Sequence, residues 1–193
     1  MTFAILERDF DTPMAPSDFG EMASRSMGCF ELHRVDWQYS MLAAGGQRLV
    51  CWFECPDMDS ARIALRSEDG DISDIWPGKI IRQEAWPGTV HDAPGMDEDA
   101  ISGANVLVER RFDEPVTAEE IQAIEDAGAK CLEMRNVLFL RTFCSLDRKR
   151  MLCLYKSPDA ESVRQAQREA GMPVENVWSF QRLENTTDDK TLA

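Results

Sequence analysis

Apolar positions along this chain switch between two periods, and the switches mark out its elements. Asn105–Phe112 alternates as a strand does. Thr117-Ala118-Glu119-Glu120 is a capping box, whose Thr hydroxyl and Glu carboxylate satisfy the first free amides of a helix. Ile121, Ile124, Gly128, Cys131 and Leu132 then follow at helical spacing. Val137–Cys144 and Arg150–Lys156 read as strands joined by the polar turn Ser145-Leu146-Asp147-Arg148. Ser157-Pro158-Asp159 predicts a second helix with Pro158 at its first helical position, where the missing N–H costs nothing. Gly171 and Pro173 stop that helix, and Val177–Leu183 is a last strand. The order is βαββαβ, the ferredoxin-like unit.

The same order is predicted earlier in the chain: strand 3–10, helix 17–31, strands 35–42 and 48–54, helix 57–67 and strand 75–82. The two runs keep a constant offset of 102 positions. Ala4-Ile5-Leu6-Glu7-Arg8-Asp9-Phe10-Asp11-Thr12-Pro13 corresponds to Val106-Leu107-Val108-Glu109-Arg110-Arg111-Phe112-Asp113-Glu114-Pro115. Further identities include Cys29/Cys131, Arg48/Arg150, Cys51/Cys153, Pro56/Pro158, Arg62/Arg164, Arg66/Arg168 and Trp76/Trp178. A gapless register of this length points to tandem duplication. The exit of the second helix diverges, with Glu68-Asp69-Gly70-Asp71 in place of Ala170-Gly171-Met172-Pro173. Expected domains are a first repeat over 1–83, an acidic Gly/Pro linker over 84–104, a second repeat over 105–184 and a disordered tail over 185–193.

In Leu49-Val50-Cys51-Trp52-Phe53 and Met151-Leu152-Cys153-Leu154-Tyr155 both alternating sets are apolar. Such a strand is buried on both sides, whereas a lone βαββαβ unit covers one sheet face with its helices. The predicted fold is therefore α+β: two tandem ferredoxin-like units forming a single-chain pseudo-dimer, with sheets facing each other or closing a barrel.

A net charge of −14 argues against nucleic acid and anionic membranes as partners, because both need clustered Lys and Arg. No apolar run approaches a spanning helix, and no basic–apolar leader opens the chain. A soluble cytoplasmic protein is expected. Its six cysteines then read as reduced thiols, and with His33 and His91 the only imidazoles a Cys/His zinc site has little support.

Candidate chemistry centres on the repeated first strand. Val106, Val108 and Phe112 form its more apolar set and are expected to face the helices, which turns Glu109, and correspondingly Glu7, toward the other face. Buried carboxylates are costly unless paired or bound to a cation. Their expected company is Cys51, Cys153, Phe53, Tyr155, Trp37, Tyr39, Phe139 and Arg141, a mixture that can hold a metal ion or line a small-molecule pocket. The plainer alternatives stand beside it. Glu7 and Glu109 can be structural ion pairs with Arg141, Arg34 or another arginine, Cys51 and Cys153 core thiols, and His33 a surface or capping residue. No Walker A loop, GxGxxG, GxSxG or HExxH occurs.

Three runs carry a family resemblance: Val108-Glu109-Arg110-Arg111-Phe112, the stretch from Cys153 and Tyr155 through Pro158-Asp159-Ala160-Glu161 to Val163-Arg164, and Ala170-Gly171-Met172-Pro173 with Val177. Residues 105–183 resemble a family of small bacterial domains of unknown function whose best-described relative is a nickel-binding ferredoxin-like protein that dimerises. The first repeat is similar but weaker. The resemblance implies a fused pair and a divalent metal, nickel, as cofactor. Ala64 and Ala166 stand where many relatives carry a helical His, so only Glu109 and its counterpart Glu7 are carried over as ligands.

Three functions remain open at this point. One is a non-catalytic protein holding a metal ion or small ligand between its repeats, with Glu7, Glu109, His33, Cys51 and Cys153 as candidate metal ligands. The second is a small monooxygenase-, isomerase- or cyclase-like enzyme with Glu7 or Glu109 as general base and Tyr155 or His33 as its partner. The third is a structural or regulatory module acting through its acidic surface. Oligomerisation beyond the pseudo-dimer is compatible with each.

Overall fold

The computed structural model describes residues 2–66, 74–81, 101 and 103–184. His91, the acidic exit 68–71, the tail 185–193 and all of the expected linker except 101, 103 and 104 lie outside the described residues. Among the described residues the elements run in the order β1 Thr2–Asp9, α1 Pro16–His33, β2 Asp36–Ala43, β3 Arg48–Cys55, α2 Met58–Arg66, β4 Asp74–Ile81, β5 Val106–Arg111, α3 Ala118–Glu133, β6 Leu138–Ser145, β7 Arg150–Lys156, α4 Ala160–Glu169 and β8 Asn176–Leu183. The fold is α+β, and the order βαββαβ occurs twice. The chain divides into two compact units, one running to Gly78 and resuming at Gln181, the other Lys79–Phe180. Among the described residues no helix is long and apolar enough to cross a membrane.

In the first unit β1 pairs antiparallel with β3 and β4, and β3 with β2. In the second, β5 pairs antiparallel with β7 and β8, and β7 with β6. Each unit packs its two helices on one sheet face. The first packs Ala4, Leu6, Leu49, Cys51 and Phe53 against Phe19, Phe30, Ala61, Ala64 and Leu65. The second packs Val106, Val108, Met151, Cys153 and Tyr155 against Ile121, Leu132, Val163 and Ala166. The opposite faces of the central strands are buried too: Ile5, Val50, Trp52, Leu107, Leu152 and Leu154 are at most 3% exposed. Double burial is what the two-sided apolar strands required.

Local chemistry sets the ends of the elements. Thr117 accepts from the Glu120 amide while the Glu120 carboxylate accepts from the Thr117 amide, closing the predicted capping box. Asp159 caps α4 by accepting from the Ser162 amide, and Asp57 does the same for Ser60 ahead of α2. These amide bonds hold both carboxyls below the usual aspartate range. Pro158 therefore lies just before the cap, not at the first helical position. Gly171 leaves α4 at φ +65°, as the stop signal predicted.

Gly46, in the β2–β3 turn, sits at φ +70°, and a Cβ there would lie 2.6 Å from the Met14 carbonyl oxygen. Gly46→Ala combines left-handed backbone strain with a backbone clash, so it is expected to cost about 2 kcal/mol or more. Urea unfolding of the variant beside the parent chain measures this, and an unchanged midpoint refutes it.

Candidate functional site

The two repeated glutamates are placed alike. Glu7 is 4% exposed on the face of β1 away from the helices. Its Oε1 accepts from the Trp76 indole N–H at 2.7 Å, and its Oε2 from the Arg48 guanidinium at 2.6 Å. Arg48 reaches on to Asp9 at 2.7 Å. Glu109, also 4% exposed, accepts from the Trp178 indole at 2.6 Å and from the Asn176 amide at 3.2 Å. Register explains both pairs. Trp76 lies opposite Ile5 and Trp178 opposite Leu107, which places each indole diagonally across from its glutamate on the same face. Each carboxylate thus ties its first strand to its last.

The expected companions divide between the two faces. Cys51 lies opposite Leu6 and Phe53 opposite Ala4, while Cys153 lies opposite Val108 and Tyr155 opposite Val106. All four therefore share the helix face, away from Glu7 and Glu109. Trp37 and Phe139 join that face, packed against the helix-side cores. Tyr39 and Arg141 lie opposite Trp52 and Leu154 on the glutamate face, because β2 slips register between Trp37 and Tyr39 and β6 between Phe139 and Arg141. These irregularities put Trp37 and Tyr39, and likewise Phe139 and Arg141, on opposite faces although each pair is two residues apart. His33 closes α1, where a basic residue complements the helix end. The proposed ligand set Glu7, Glu109, His33, Cys51 and Cys153 is thus not assembled at one place within either unit. Among the described residues no three His, Cys, Asp or Glu side chains are grouped to hold a metal ion.

The helix face of the second unit holds a polar network that the sequence reading missed. Arg110, 5% exposed, donates to the Tyr155 hydroxyl at 3.2 Å, to Gln167 Oε1 at 2.7 Å and to the Pro173 carbonyl. Gln167 in turn donates to Tyr155 at 3.1 Å, and Thr142 donates to the Cys153 sulfur at 3.2 Å. Burial works against the Arg110 charge, but its Tyr155 and Cys153 neighbours outweigh that and raise its pKa above the ordinary arginine value. The counterpart positions in the first unit are Arg8, Phe53 and Leu65. Arg8 is likewise buried and donates to the Met22 sulfur at 3.5 Å. A Glu-Arg dipeptide repeated within an apolar strand was the available signal, since adjacent residues of a strand face opposite ways and both were bound to be buried.

All six cysteines are free thiols, four of them buried. Burial pushes the Cys144 thiol up to about 11 and raises that of Cys55. These are core groups rather than nucleophiles.

Residues 107–179 match the family model described as nickel responsive protein SCO4226-like. Among solved structures, SCO4226 from Streptomyces coelicolor A3(2) is 20% identical, covering 38% of this chain and 91% of that one, with a TM-score of 0.35. A heme-binding protein from Thermus thermophilus is 10% identical over 95% of this chain and 90% of its own, with a TM-score of 0.49. An anthrone oxidase-like protein is 9% identical over 95% and 92%, with a TM-score of 0.46. No curated protein matches.

Proposed function

We propose that this chain is a non-catalytic small-ligand-binding protein descended from duplication of one βαββαβ module of the nickel-responsive type. The observation that supports binding over catalysis is the engagement of both buried glutamates. Each carboxylate oxygen already accepts from a fixed indole, guanidinium or amide of its own unit. A general base must instead face the proton it removes. Tyr155, the suggested partner, is committed to Arg110 and Gln167 on the other sheet face. Duplication is supported by more than sequence register. Left-handed backbone recurs at Arg34 and Asn136, and again at Gly46 and Arg148, each pair 102 positions apart.

Nickel enters through the matching family's description, and the donors present do not fit it. The helical positions are the fully buried Ala64 and Ala166, the thiols lie across the sheet from the carboxylates, and those carboxylates are spoken for. Six free thiols suit a reducing cytoplasm.

The test uses untagged full-length protein. After incubation with nickel chloride and gel filtration, well under one nickel per chain is expected by elemental analysis, and chelator leaves the melting curve unmoved. Stoichiometric nickel that chelator strips with a fall in Tm overturns this reading. So does consumption, above a protein-free blank, of small organic acids followed by proton NMR.

A further inference from the structure

We infer that the groove between α4 and the segment entering β8 binds a small organic carboxylate. This deepens the binding reading above by naming a ligand class and a place for it, wholly within the second unit. The groove, of about 410 Å³, is lined by Arg164, Arg168, Met172, Val174, Glu175, Asn176 and Val177. That volume lies within the usual range for small-molecule sites.

Charge makes the groove unusual in a chain of net charge −14. Arg164 and Arg168 stand one helical turn apart on the same face of α4. Arg164 is held in place, donating to Glu161 and, at 3.0 Å, to the Val177 carbonyl. The Arg164 bond, helped by Gln165, holds the Glu161 carboxyl below its usual range, so that acid is already engaged. Glu175, the one acid among the lining residues, is taken by Arg111 at 2.8 Å. Arg168 is exposed, and its side chain makes no hydrogen bond or ion pair with the described residues. One guanidinium fork is thus available beside a second, fixed cation.

The opposite wall supplies apolar surface. Met172 is 7% exposed and Val174 is 37% exposed. Between them runs Pro173, whose carbonyl is anchored by buried Arg110. The wall is therefore pinned from beneath, which lowers the ordering cost of binding. A single free fork matches a planar carboxylate in bidentate geometry. A phosphate dianion would bring twice the charge close to Glu161 and Glu175. The ligand class that fits is a monocarboxylate with a small apolar or aromatic body.

The experiment is an NMR titration of ¹⁵N-labelled full-length protein with sodium phenylacetate, with inorganic phosphate and 2-phenylethanol as separate arms. Expected are saturable shifts of the Arg168 side-chain N–H and of the 172–177 amides, at concentrations of roughly millimolar order. Arg168→Gln, at an exposed position, weakens phenylacetate binding about tenfold or more. Arg66→Gln, at the counterpart position of α2, leaves it unchanged. The inference is overturned if phenylacetate gives no saturation, if the shifts fall elsewhere, if Arg168→Gln binds as well as the parent, or if phosphate or phenylethanol binds as tightly. Nickel retention or turnover would sink the broader reading without touching this groove, and failure of phenylacetate in nickel-free, turnover-free protein overturns the groove inference while leaving the broader reading in place.

Discussion

Arg110→Ala is expected to lower stability by about 3–5 kcal/mol, as removing one member of a buried charged network does. The guanidinium is 5% exposed and supplies donors to Tyr155, Gln167 and the Pro173 carbonyl. Alanine removes all three at once, leaves a cavity and deprives the buried Tyr155 hydroxyl and Gln167 Oε1 of their charged donor. Because the Arg110 pKa is raised above the ordinary arginine value, the charge persists at every workable pH, and the loss should be the same at pH 6 and pH 9. A second variant separates the charge from the packing. Arg110→Met combined with Tyr155→Phe and Gln167→Leu deletes the network as a whole, borrowing the Phe53 and Leu65 pattern of the first unit. It is expected to recover at least half of the loss, because an apolar replacement strands far fewer polar partners. Urea unfolding of the three proteins decides the matter. An Arg110→Ala cost near or below about 1 kcal/mol would mean that the network stabilises little beyond an ordinary hydrogen bond.

Much of the architecture was legible because local and periodic signals agreed. The Thr117–Glu120 capping box, the Gly171 stop and the βαββαβ order each had a physical cue within a few residues. The orientation of Glu7 and Glu109 also followed from alternation in the first strand of each run. Placement of their companions failed for two definite reasons. In β3 and β7 both alternating sets are apolar, so composition could not say that Cys51 and Cys153 face the helices, and only register settles it. In β2 and β6 the register slips, and nothing in Trp37–Tyr39 or Phe139–Arg141 announces it. The partners of the glutamates were better marked than they were used. Arg48, Trp76 and Trp178 all stood among the residues repeated at the 102-position offset, yet they lie far from Glu7 and Glu109 in sequence, so only strand pairing brings them together.

That pairing leads to the second large expected effect. Glu7→Ala should cost about 3 kcal/mol or more, because hydrogen bonds to a charged, poorly hydrated group are among the strongest in a fold. The glutamate side chain is 6% exposed and its partner Arg48 19%, so raising salt should screen the pair only weakly. Glu7→Gln keeps the size but turns an N–H₂ group toward either the Trp76 or the Arg48 donor, and should recover only part of the loss. Trp76→Phe keeps an aromatic ring and removes the N–H alone. A double-mutant cycle of Glu7→Gln with Trp76→Phe should therefore give a coupling of about 1.5–3 kcal/mol, and the matching cycle of Glu109→Gln with Trp178→Phe should do likewise. Coupling near zero in both cycles would mean that the indoles merely lie beside the carboxylates, and would reopen those oxygens to another partner. Coupling of the expected size makes them girders between the first and last strand of each unit, which is why one Glu–Trp pair stands at the same place in both runs.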